Sequence, residues 1–472
     1  MNAWFGADAA EQARQRAQAR LRTHAFAPGV IAAFERVRAS RGQAWIVGGS
    51  VRDVLLGRET GSDVDAATTL LPERTASAFP QSDPIGGRFG TVLVVWEGER
   101  IEFTTLRTES AYSDARHPDT VTFSRDPLED LARRDLTINA MAFDPLAGEL
   151  LDPHGGALDL ERRRLRAVGD PALRLREDAL RALRIARFAA TLEMRVEEPT
   201  RAALADVVDL VPKLAIERVR TELERLLAAP QPSKGLEILR EAGLLVCWLP
   251  ELQACRGVQQ NRHHAHDVYF HSLHSCDAAP LAKPVVRWAA LLHDIGKPAT
   301  RAEKDGEGTF YNHQFVGAEL AASLLERLRF AHAFRDAVVH LIREHMFDYR
   351  TQWSDSAVRR WLKRVGSEHV ADLFDLRIAD RIGNGTRAAA SPDLDAFAAR
   401  VERELAKGHA LHVSDLAVNG RIAMEVLRIP PGRAIGEVLE TLLEEVLEDP
   451  ARNTEPYLRA RLAQLRARMS LA

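Results

Sequence analysis

The sequence of 472 residues is poor in cysteine and lysine, and it has no long apolar run. Its three cysteines, Cys247, Cys255 and Cys276, form no Cys-x-x-Cys pair and no zinc-ligand spacing, which excludes a zinc ribbon and indicates a reducing compartment. No apolar stretch has the length of a membrane span, and residues 1–22 form a charged helical segment without the apolar centre of a signal peptide. We therefore expect a cytoplasmic protein that does not enter a membrane.

Charge also restricts the possible functions. The formal net charge is -3, so any nucleic-acid surface must be a local patch and not a basic field over the whole protein. Arginine supplies nearly all of the positive charge, which favours bidentate contacts with phosphate but is equally explained by genome composition. With 46% hydrophobic and 28% charged residues the chain is typical of a globular protein, and its length predicts three or four structural units.

Changes in the hydrophobic pattern divide the chain. Short apolar strands alternate with turns near the start, whereas from Leu158 onward strand patterns end and apolar residues recur at helical spacing, as in residues 177–192 and 215–227. The sequence therefore predicts an α+β fold, in which a small mixed-sheet domain is followed by helical regions. The predicted segments are a helical extension (1–25), a mixed-sheet head (26–152), a helical neck (153–255), a histidine-rich helical domain (256–390) and a helical tail (391–472).

The most informative motif is Val47-Gly-Gly-Ser-Val-Arg-Asp53, followed ten residues later by Asp63-Val-Asp65. Two glycines after an apolar strand allow a tight turn that approaches a triphosphate closely, and Arg52 then lies in the first turn of a helix, near phosphate oxygens. In a strand, Asp63 and Asp65 point to one face, so both can bind the same metal ions. This combination predicts transfer of a nucleotidyl group with divalent metal.

A third carboxylate fits this pair. The segment Arg100-Ile-Glu-Phe-Thr-Thr-Leu-Arg107 alternates like a strand, so Glu102 is a candidate to join Asp63 and Asp65 across the sheet. The alternative is a glutamate at a strand edge that faces water. An Asp-x-Asp pair alone is usually a solvated turn, and a Gly-Gly pair is usually only a turn. Their order along the chain, with a helical segment between them, favours the catalytic interpretation.

A further motif closes the predicted sheet domain. In Arg133-Arg-Asp-Leu-Thr-Ile-Asn-Ala-Met-Ala-Phe143 the apolar members can line a core, which leaves Arg134, Asp135 and Asn139 for polar contacts with a nucleotide. An arginine here could hold a triphosphate, and Asn139 could bond a ribose or a backbone group. In the alternative interpretation, Asp135 only caps the start of a helix.

The neck contributes a charged stripe, Glu177-Asp-Ala-Leu-Arg-Ala-Leu-Arg-Ile-Ala-Arg187. Asp178, Arg181 and Arg184 fall three residues apart on one face of a predicted helix, and Arg187 extends the stripe. An acceptor and a fork of donors on one rigid face can match the hydrogen-bonding edge of a base. A solvated charged stripe is the alternative explanation.

Histidines and carboxylates recur between residues 269 and 380. Four histidines lie among apolar helical segments: His271, His293, His313 and His345. His293 is followed by Asp294 on one helical turn, and this pair can bridge one or two ions. A single histidine is more often an ordinary core or surface residue, but the whole set predicts a metal site.

Four motifs follow one another along the chain: Val47-Gly-Gly-Ser-Val-Arg-Asp53, Ser62-Asp-Val-Asp65, Arg133-Arg-Asp-Leu-Thr-Ile-Asn-Ala140 and Glu177-Asp-Ala-Leu-Arg181. In this order they resemble the bacterial class II family of CCA-adding tRNA nucleotidyltransferases and poly(A) polymerases. The resemblance implies that Asp63 and Asp65 bind catalytic Mg2+. It also implies that Gly49 and Arg52 contact the triphosphate and that Arg134 binds the nucleotide. In the neck, it implies that Asp178 and Arg181 read the base of CTP or ATP, with Arg184 and Arg187 as further nucleotide contacts. Residues 112–118 occupy the place of the family's flexible loop, which is thought to help the switch from C to A addition.

The histidine set resembles the HD phosphohydrolase superfamily. By this resemblance the metal ligands are His271, His293, Asp294 and Asp380. The resemblance makes His313 and His345 either ligands of a second ion or phosphate-facing groups, and Lys297 a phosphate contact. The ion expected here is Mg2+, Mn2+, Ni2+ or Co2+.

These resemblances imply template-independent addition of CCA, or of part of it, to tRNA 3′ ends from CTP and ATP, beside a phosphohydrolase activity. The expected substrate of the second activity is a 2′,3′-cyclic or terminal phosphate on damaged tRNA. A poly(A) polymerase is one alternative, although the acidic run at residues 437–449 argues against the basic tail that such an enzyme needs. An HD phosphohydrolase whose head only binds RNA is another, and the intact Asp63 and Asp65 speak against it. Addition of only CC or only A stays open, and the sequence predicts no oligomeric state.

Overall fold

The structure of the chain is a computed structural model that describes residues 2–58, 63–83, 90–110, 120–260, 265–304, 307–347, 353–386 and 388–469. It divides into two compact units, Met1–Gln253 and Ala254–Ala472. The five segments proposed from the sequence divide the chain more finely, and their bounds stay a prediction.

A seven-stranded mixed sheet lies in the first unit. Its strands are β1 (Ala44–Val47), β2 (Asp63–Thr68), β3 (Ser82–Asp83), β4 (Thr91–Trp96), β5 (Glu99–Thr105), β8 (Ala142–Asp144) and β9 (Glu149–Leu151), while β6 (Arg107–Ser110) and β7 (Thr120–Phe123) form a separate hairpin. The strand order is β3-β4-β5-β2-β1-β8-β9. Within the described sheet β2 and β5 run parallel and the other neighbours run antiparallel.

Alternation of side chains fixes how β5 sits in the sheet. Ile101 and Phe103 are fully buried, whereas Glu102 and Thr104, which alternate with them, point to the opposite, accessible face. Phe103 packs against Phe34 and Phe79, with ring centroids 5.7 and 5.6 Å apart. At β5 the core therefore lies on one face of the sheet, and the other face is available for polar side chains.

Helices surround the sheet and continue beyond it within the first unit. They are α1 (Asn2–Thr23), α2 (Pro28–Ala39), α3 (Gly49–Leu56), α4 (Pro72–Ala78), α5 (Pro127–Ala132), α6 (Gly156–Glu161), α7 (Pro171–Glu177), α8 (Leu180–Leu192), α9 (Glu198–Ala202), α10 (Ile216–Leu227), α11 (Pro232–Glu241), α12 (Leu245–Trp248) and α13 (Pro250–Gln253). The α+β class predicted from the sequence is confirmed.

Two details of the sequence-based fold were wrong. Strand structure does not end at Leu158, because β10 (Arg164–Leu165) and β11 (Arg195–Val196) form a short parallel pair. These strands have two residues each, which is too short for a period of two to be visible. The helix expected over residues 177–192 is also broken, since Asp178 has an extended backbone (φ -144°, ψ 103°) between α7 and α8. Its Oδ1 accepts the backbone N–H of Leu180 at 3.0 Å and so satisfies the start of α8.

The second unit is almost entirely helical. Its elements are α14 (Val268–Ala278), α15 (Pro284–Leu292), α16 (Lys297–Thr300), the hairpin β12 (Ala302–Lys304) and β13 (Glu307–Thr309), α17 (His313–Arg327), α18 (His332–Glu344), α19 (Asp355–Val365), α20 (Val370–Gly383), α21 (Pro392–Ala406), α22 (Gly420–Leu427), α23 (Arg433–Glu448) and α24 (Glu455–Met469). A buried ion pair joins α19 to α21, with Arg359 donating to Glu404 at 2.8 Å. Of the helices described, none combines the length and the apolar character that crossing a membrane requires.

Replacing Phe103 by alanine tests the importance of the aromatic core behind the sheet. We expect Phe103→Ala to lower the free energy of unfolding of the first unit by about 3–5 kcal/mol, because it leaves a cavity between two aromatic rings. Val95→Ala on the neighbouring β4 is the control, since Val95 is 38% exposed and its truncation should change stability by less than about 0.5 kcal/mol. Urea unfolding followed by circular dichroism measures both. Equal losses in the two variants would contradict this description of the core.

Candidate active site and metal centre

A cavity of about 580 Å³ opens in the first unit, above the accessible face of the sheet. Eight arginines of the described chain line it: Arg52, Arg107, Arg133, Arg134, Arg181, Arg184, Arg187 and Arg218. Four carboxylates also line it: Asp65, Glu102, Asp135 and Asp178. Positive side chains outnumber the negative ones two to one, so the cavity favours a polyanionic ligand such as a triphosphate.

Three carboxylates meet on two neighbouring strands. Because β2 and β5 are parallel and in register, Asp63 pairs with Arg100 and Asp65 with Glu102. Asp63 accepts a hydrogen bond from Arg100 Nε at 2.8 Å. The structure thus brings Glu102 beside Asp65, as the strand pattern predicted, although Asp63 is not among the residues that line the cavity.

The electrostatics of these carboxylates fit a divalent cation. Burial raises the pKa of Asp65, against the lowering effect of Arg134 and Arg52, although one side of Asp65 stays open to the cavity. Burial also raises the pKa of Glu102, and the neighbouring charges of Asp65 and Asp63 act in the same direction. Carboxylates that repel one another in this way are oxygen ligands suited to Mg2+.

The glycine turn leaves space between these carboxylates and two arginines. Gly48 has φ +64°, and a Cβ placed there would lie 2.9 Å from Nη1 of Arg134. A Cβ on Gly49 would lie 3.4 Å from Nη2 of Arg52 and 3.5 Å from Oδ2 of Asp65. Glycine at both positions therefore allows the backbone and the arginines to approach one ligand together.

Each predicted phosphate-binding arginine is held by an acceptor. Arg52 donates to Oδ1 of Asn139 at 2.6 Å, and Arg134 donates to the buried carboxylate of Asp130 at 3.0 Å. Arg134 also donates to the backbone carbonyl of Asn139 at 3.2 Å. These contacts fix the guanidinium groups before a ligand arrives.

Asp135 links the head motif to the neck. Its carboxylate accepts from Nη2 of Arg184 at 2.7 Å, from Nδ2 of Asn139 at 3.0 Å and from the backbone N–H of Leu136 at 2.8 Å. Burial acts to raise the pKa of Asp135, but the Arg184 guanidinium and the hydrogen bonds hold it well below its usual range. The predicted nucleotide contact of Asp135 remains a prediction, and in this geometry the carboxylate orients Arg184.

The charged stripe of the neck differs from its predicted form. Asp178 lies in the break before α8 and not on its face, and its Oδ2 accepts from Arg218 at 2.7 Å. Arg181 on α8 donates to Glu177 and to the backbone carbonyls of Arg174 at 2.7 Å and Arg133 at 3.0 Å. The break does not separate the two side chains, since both still line the cavity.

Several groups in or beside this cavity were not predicted from the sequence, among them the lining residues Arg107, Arg133, Arg218 and Phe188 and the acid Glu222 behind them. Phe188 lies under the arginines, with the Arg187 guanidinium 4.0 Å from its ring centroid. Glu222 on α10 is buried and accepts from Nε of Arg187 at 2.6 Å. The spacing of Arg218 and Glu222 on one predicted helix face was a usable signal. Their contact with α8 depends on packing between helices, which local spacing does not show.

The four histidines converge in the second unit. Nε2 of His271 lies 3.0 Å from Nε2 of His293, and Nε2 of His313 lies 3.3 Å from Nε2 of His345. Asp294 approaches His271 at 3.3 Å and His293 at 3.2 Å. His293 and Asp294 follow the end of α15 at Leu292, so they lie in a turn and not within the helix as predicted.

Two sets of possible ligand atoms share His293. His271, His293 and Asp380 form one, and His293, Asp294 and His345 form the other, with all ligand atoms of a set within 4.8 Å of one another. The structure thus places His345 in a ligand set with the predicted ligands His293 and Asp294. Burial lowers the pKa of His345 to about 3, which keeps its imidazole neutral.

Backbone carbonyls orient three of these imidazoles toward a metal. Nδ1 of His293, His313 and His345 lies 2.9, 2.7 and 2.6 Å from the carbonyls of residues 290, 310 and 342. A carbonyl can only accept, so each Nδ1 carries a proton, and Nε2 is the nitrogen of each ring that can bind a metal. Converging lone pairs and carboxylates fit a divalent metal ion with mixed nitrogen and oxygen ligands.

A cavity of about 460 Å³ adjoins this cluster. Lys297 donates to Oδ2 of Asp294 and to Oε1 of Gln260, both at 2.6 Å. Arg377 donates to Asp380 at 3.1 Å and also lines the cavity. The cluster of histidines and carboxylates is therefore open to the cavity on the side of Lys297 and Arg377, as binding of a phosphate ester would require.

Comparison with known proteins identifies three domains in this chain. Residues 44–166 match the Poly A polymerase head domain, residues 193–255 match the probable RNA and SrmB-binding site of polymerase A, and residues 262–385 match the HD domain. The CCA-adding enzyme of Lactococcus lactis subsp. lactis (strain IL1403) is 33% identical over 433 residues, which cover 90% of this chain and 94% of that enzyme. The chain belongs to the CCA-adding enzyme family.

Other members of the CCA-adding enzyme family are also similar to this chain. The enzyme of Geobacillus thermodenitrificans (strain NG80-2) is 41% identical over 259 residues, 55% of this chain and 61% of that enzyme. The crystal structure of the Bacillus stearothermophilus CCA-adding enzyme in complex with CTP superposes with a TM-score of 0.70 at 26% identity, over 95% of this chain and all of that one. The chain is thus a nucleotidyltransferase that carries an HD domain, and both kinds of domain depend on metal ions. Poly(A) polymerase is the weaker alternative.

Removing the charge of Asp135 should destabilise the first unit in a pH-dependent way. The folded-state pKa of Asp135 is depressed, so its stabilising effect is complete above its ordinary pKa of about 4 and is lost as the pH falls further. We expect Asp135→Asn to lower the free energy of unfolding by about 3 kcal/mol at pH 7 and by clearly less at pH 3. Asp209→Asn is the control, because the pair of Asp209 with Arg176 is exposed and its loss should have little effect. Urea unfolding at both pH values is the measurement, and a pH-independent loss would show that the ion pair is not the cause.

Proposed function

We propose that the chain adds CCA, or part of it, to the 3′ end of tRNA, taking nucleotides from CTP and ATP and releasing pyrophosphate. The observation that carries this proposal is one cavity in which Asp65 and Glu102, with Asp63 beside them, face eight arginines. The family membership and the likeness to an enzyme solved with CTP support it.

The residues of the head have different roles in the proposed reaction. Asp63, Asp65 and Glu102 would hold Mg2+, which supplies activation of the primer hydroxyl and neutralises the leaving pyrophosphate. The backbone at Gly49 approaches the triphosphate, and Arg52 and Arg134 bind its oxygens. The 3′ oxygen of the tRNA attacks the α-phosphorus, and the bond from that phosphorus to the pyrophosphate oxygen breaks on the opposite side.

The neck would select the base. Cytosine and adenine both present an exocyclic amino donor, where uracil and guanine present a carbonyl acceptor. Asp178 offers an acceptor and Arg181 offers donors, and both side chains are held in place by the neighbouring groups described above. Arg184 and Arg187, over the ring of Phe188, add positive charge and a planar surface beside the base. Asn139 remains a candidate ribose contact.

The extent of addition is the finer question. The segment expected to help the switch from C to A addition, residues 112–118, lies outside the described residues, so we infer full CCA addition from the family alone. We also assign the protein to the cytoplasm, where its proposed tRNA substrate occurs and where its free cysteines stay reduced.

An incorporation assay with the full chain tests the proposal. The substrates are tRNA transcripts that lack one, two or three terminal nucleotides, each incubated with every nucleotide triphosphate separately. We expect the wild type to incorporate C and A in the order that each transcript requires. Asp65→Ala should lower the rate by about a thousandfold, because metal stabilises charge that arises in the transition state, while tRNA affinity changes little. Asp83→Ala, an exposed acid on β3, should act like the wild type. Wild-type incorporation by Asp65→Ala would end the proposal.

We propose a second, separate activity for the HD domain. His271, His293, Asp294 and Asp380 would bind Mg2+, Mn2+, Ni2+ or Co2+, with His345 and His313 completing the ligand set of a second ion or facing phosphate. Lys297 and Arg377 line the cavity and would contact the negative oxygens of a bound phosphate ester. A 2′,3′-cyclic or terminal phosphate on damaged tRNA is the proposed substrate, since its removal regenerates the hydroxyl group that nucleotide addition needs.

Elemental analysis and a hydrolysis assay of 2′,3′-cyclic nucleotides with each of the four ions test this activity. His293 belongs to both ligand sets, so His293→Ala should lose most of the bound metal and at least about a hundredfold in rate. His332→Ala, an exposed histidine at the start of α18, and Asp65→Ala should both keep the metal and the hydrolysis. Absence of metal and of hydrolysis in the wild type would leave the cluster with a structural role.

A further inference from the structure

The order of strands in the sheet separates two sides of the reaction centre. β1 pairs with one edge of β2 and leads into the Gly48–Gly49 turn and α3, whereas β5 pairs with the other edge of β2. The proposed triphosphate contacts of Gly49 and Arg52 therefore lie on the β1 side of the carboxylates. The leaving pyrophosphate lies on that side as well.

In-line displacement then fixes where the tRNA end must lie. The attacking oxygen approaches phosphorus from the side opposite the leaving group. In this sheet the opposite side is formed by β5 and by β4 beyond it. The nucleotide that carries the attacking hydroxyl must therefore contact side chains on the accessible face of these two strands.

Two threonines occupy that place. Thr104 follows Glu102 by two residues on β5, so it points to the same face at a distance of roughly 6.6 Å along the strand. Thr91 on β4 is the register partner of Thr104, and their hydroxyl oxygens are 3.0 Å apart. Both are half-buried and line the same cavity as the carboxylates.

The hydroxyls of this pair differ from those of buried threonines nearby. Thr105 and Thr68 donate to the backbone carbonyls of Leu70 and Gln43 at 2.8 and 2.9 Å, so their hydroxyl hydrogens serve the fold. In the described chain, the hydroxyls of Thr91 and Thr104 instead form a hydrogen bond with each other. Such a pair uses one of its two hydrogens internally and keeps the other, together with lone pairs, for a ligand.

We propose that the hydroxyl pair of Thr91 and Thr104 binds the 2′-hydroxyl of the nucleotide at the 3′ end of the tRNA primer, and so requires a ribose there. The inference rests on the proposed tRNA nucleotidyltransferase activity and adds to it a primer-binding subsite. A 2′-hydroxyl is both a donor and an acceptor, as each threonine hydroxyl is. It is adjacent to the attacking 3′-hydroxyl on the same sugar, and the separation between Glu102 and Thr104 accommodates one ribose ring. Arg107, which lines the cavity just beyond β5, is placed to meet the preceding phosphate.

The test compares two primers with the full-length enzyme. One is a tRNA that lacks CCA and ends in a ribonucleotide, and the other is the same tRNA ending in a 2′-deoxynucleotide. We expect the wild type to extend the ribose-ended primer about three- to tenfold more efficiently, as one hydrogen bond predicts. In Thr104→Val this preference should fall to about one, with a higher KM for the ribose-ended primer and an unchanged KM for CTP. Thr104→Ser should restore the preference.

Controls separate this inference from a fold defect and from the proposed function. Thr108→Val on β6 removes an exposed hydroxyl outside the cavity and should keep the wild-type preference. Thr91→Val removes the other member of the pair and serves if Thr104→Val does not fold. An unchanged preference in both Thr91→Val and Thr104→Val, or equal losses with both primers and with CTP, would overturn the subsite. Failure of the wild type to extend either primer would instead overturn the proposed nucleotidyltransferase function.

Discussion

Crowding of like charges in one cavity is the constraint on which the first unit depends. Eight arginines face the same space, and each guanidinium there is costly to desolvate without a partner. The structure meets this with a layer of acids behind them: Asp130 binds Arg134, Asp135 binds Arg184, and Glu222 binds Arg187. Other arginines of the cavity are paired as well: Arg133 with Asp130, Arg181 with Glu177, and Arg218 with Asp178. They fix the directions of the donors, so that a triphosphate meets groups that are already oriented.

The same constraint explains why the head and the neck segment belong to one compact unit. Asp135 comes from the motif that closes the sheet, and Arg184 comes from α8, yet their ion pair is 2.7 Å long and largely buried. Asn139 extends the connection to Arg52 on α3. The proposed triphosphate contact Arg52 and the proposed nucleotide contact Arg184 are therefore joined through Asn139 and Asp135 in one hydrogen-bonded network.

Sequence reasoning succeeded where a short local pattern determines geometry. A period of two placed Asp63 with Asp65 and pointed to Glu102, and the register of two parallel strands put Glu102 beside Asp65. It failed at Asp178, because a spacing of three is the same whether the residue begins a helix or lies just before it. It missed Phe188 and Glu222, since their roles arise where α8 packs against α10. In the histidine cluster, residue types predicted a metal site, but no spacing could show that His345 shares a ligand set with His293 and Asp294.

The two sites balance their charges in opposite ways. The first cavity is lined mainly by arginines and suits a ligand that carries several negative charges, whereas four imidazoles and two carboxylates form the second cluster and suit a cation. Burial keeps His345 neutral, and this preserves a lone pair for that cation. A net charge of -3 over 472 residues is compatible with both, because each field is local. The chain can thus present a phosphate-binding surface in one unit and a metal-binding cluster in the other without a basic surface over the whole protein.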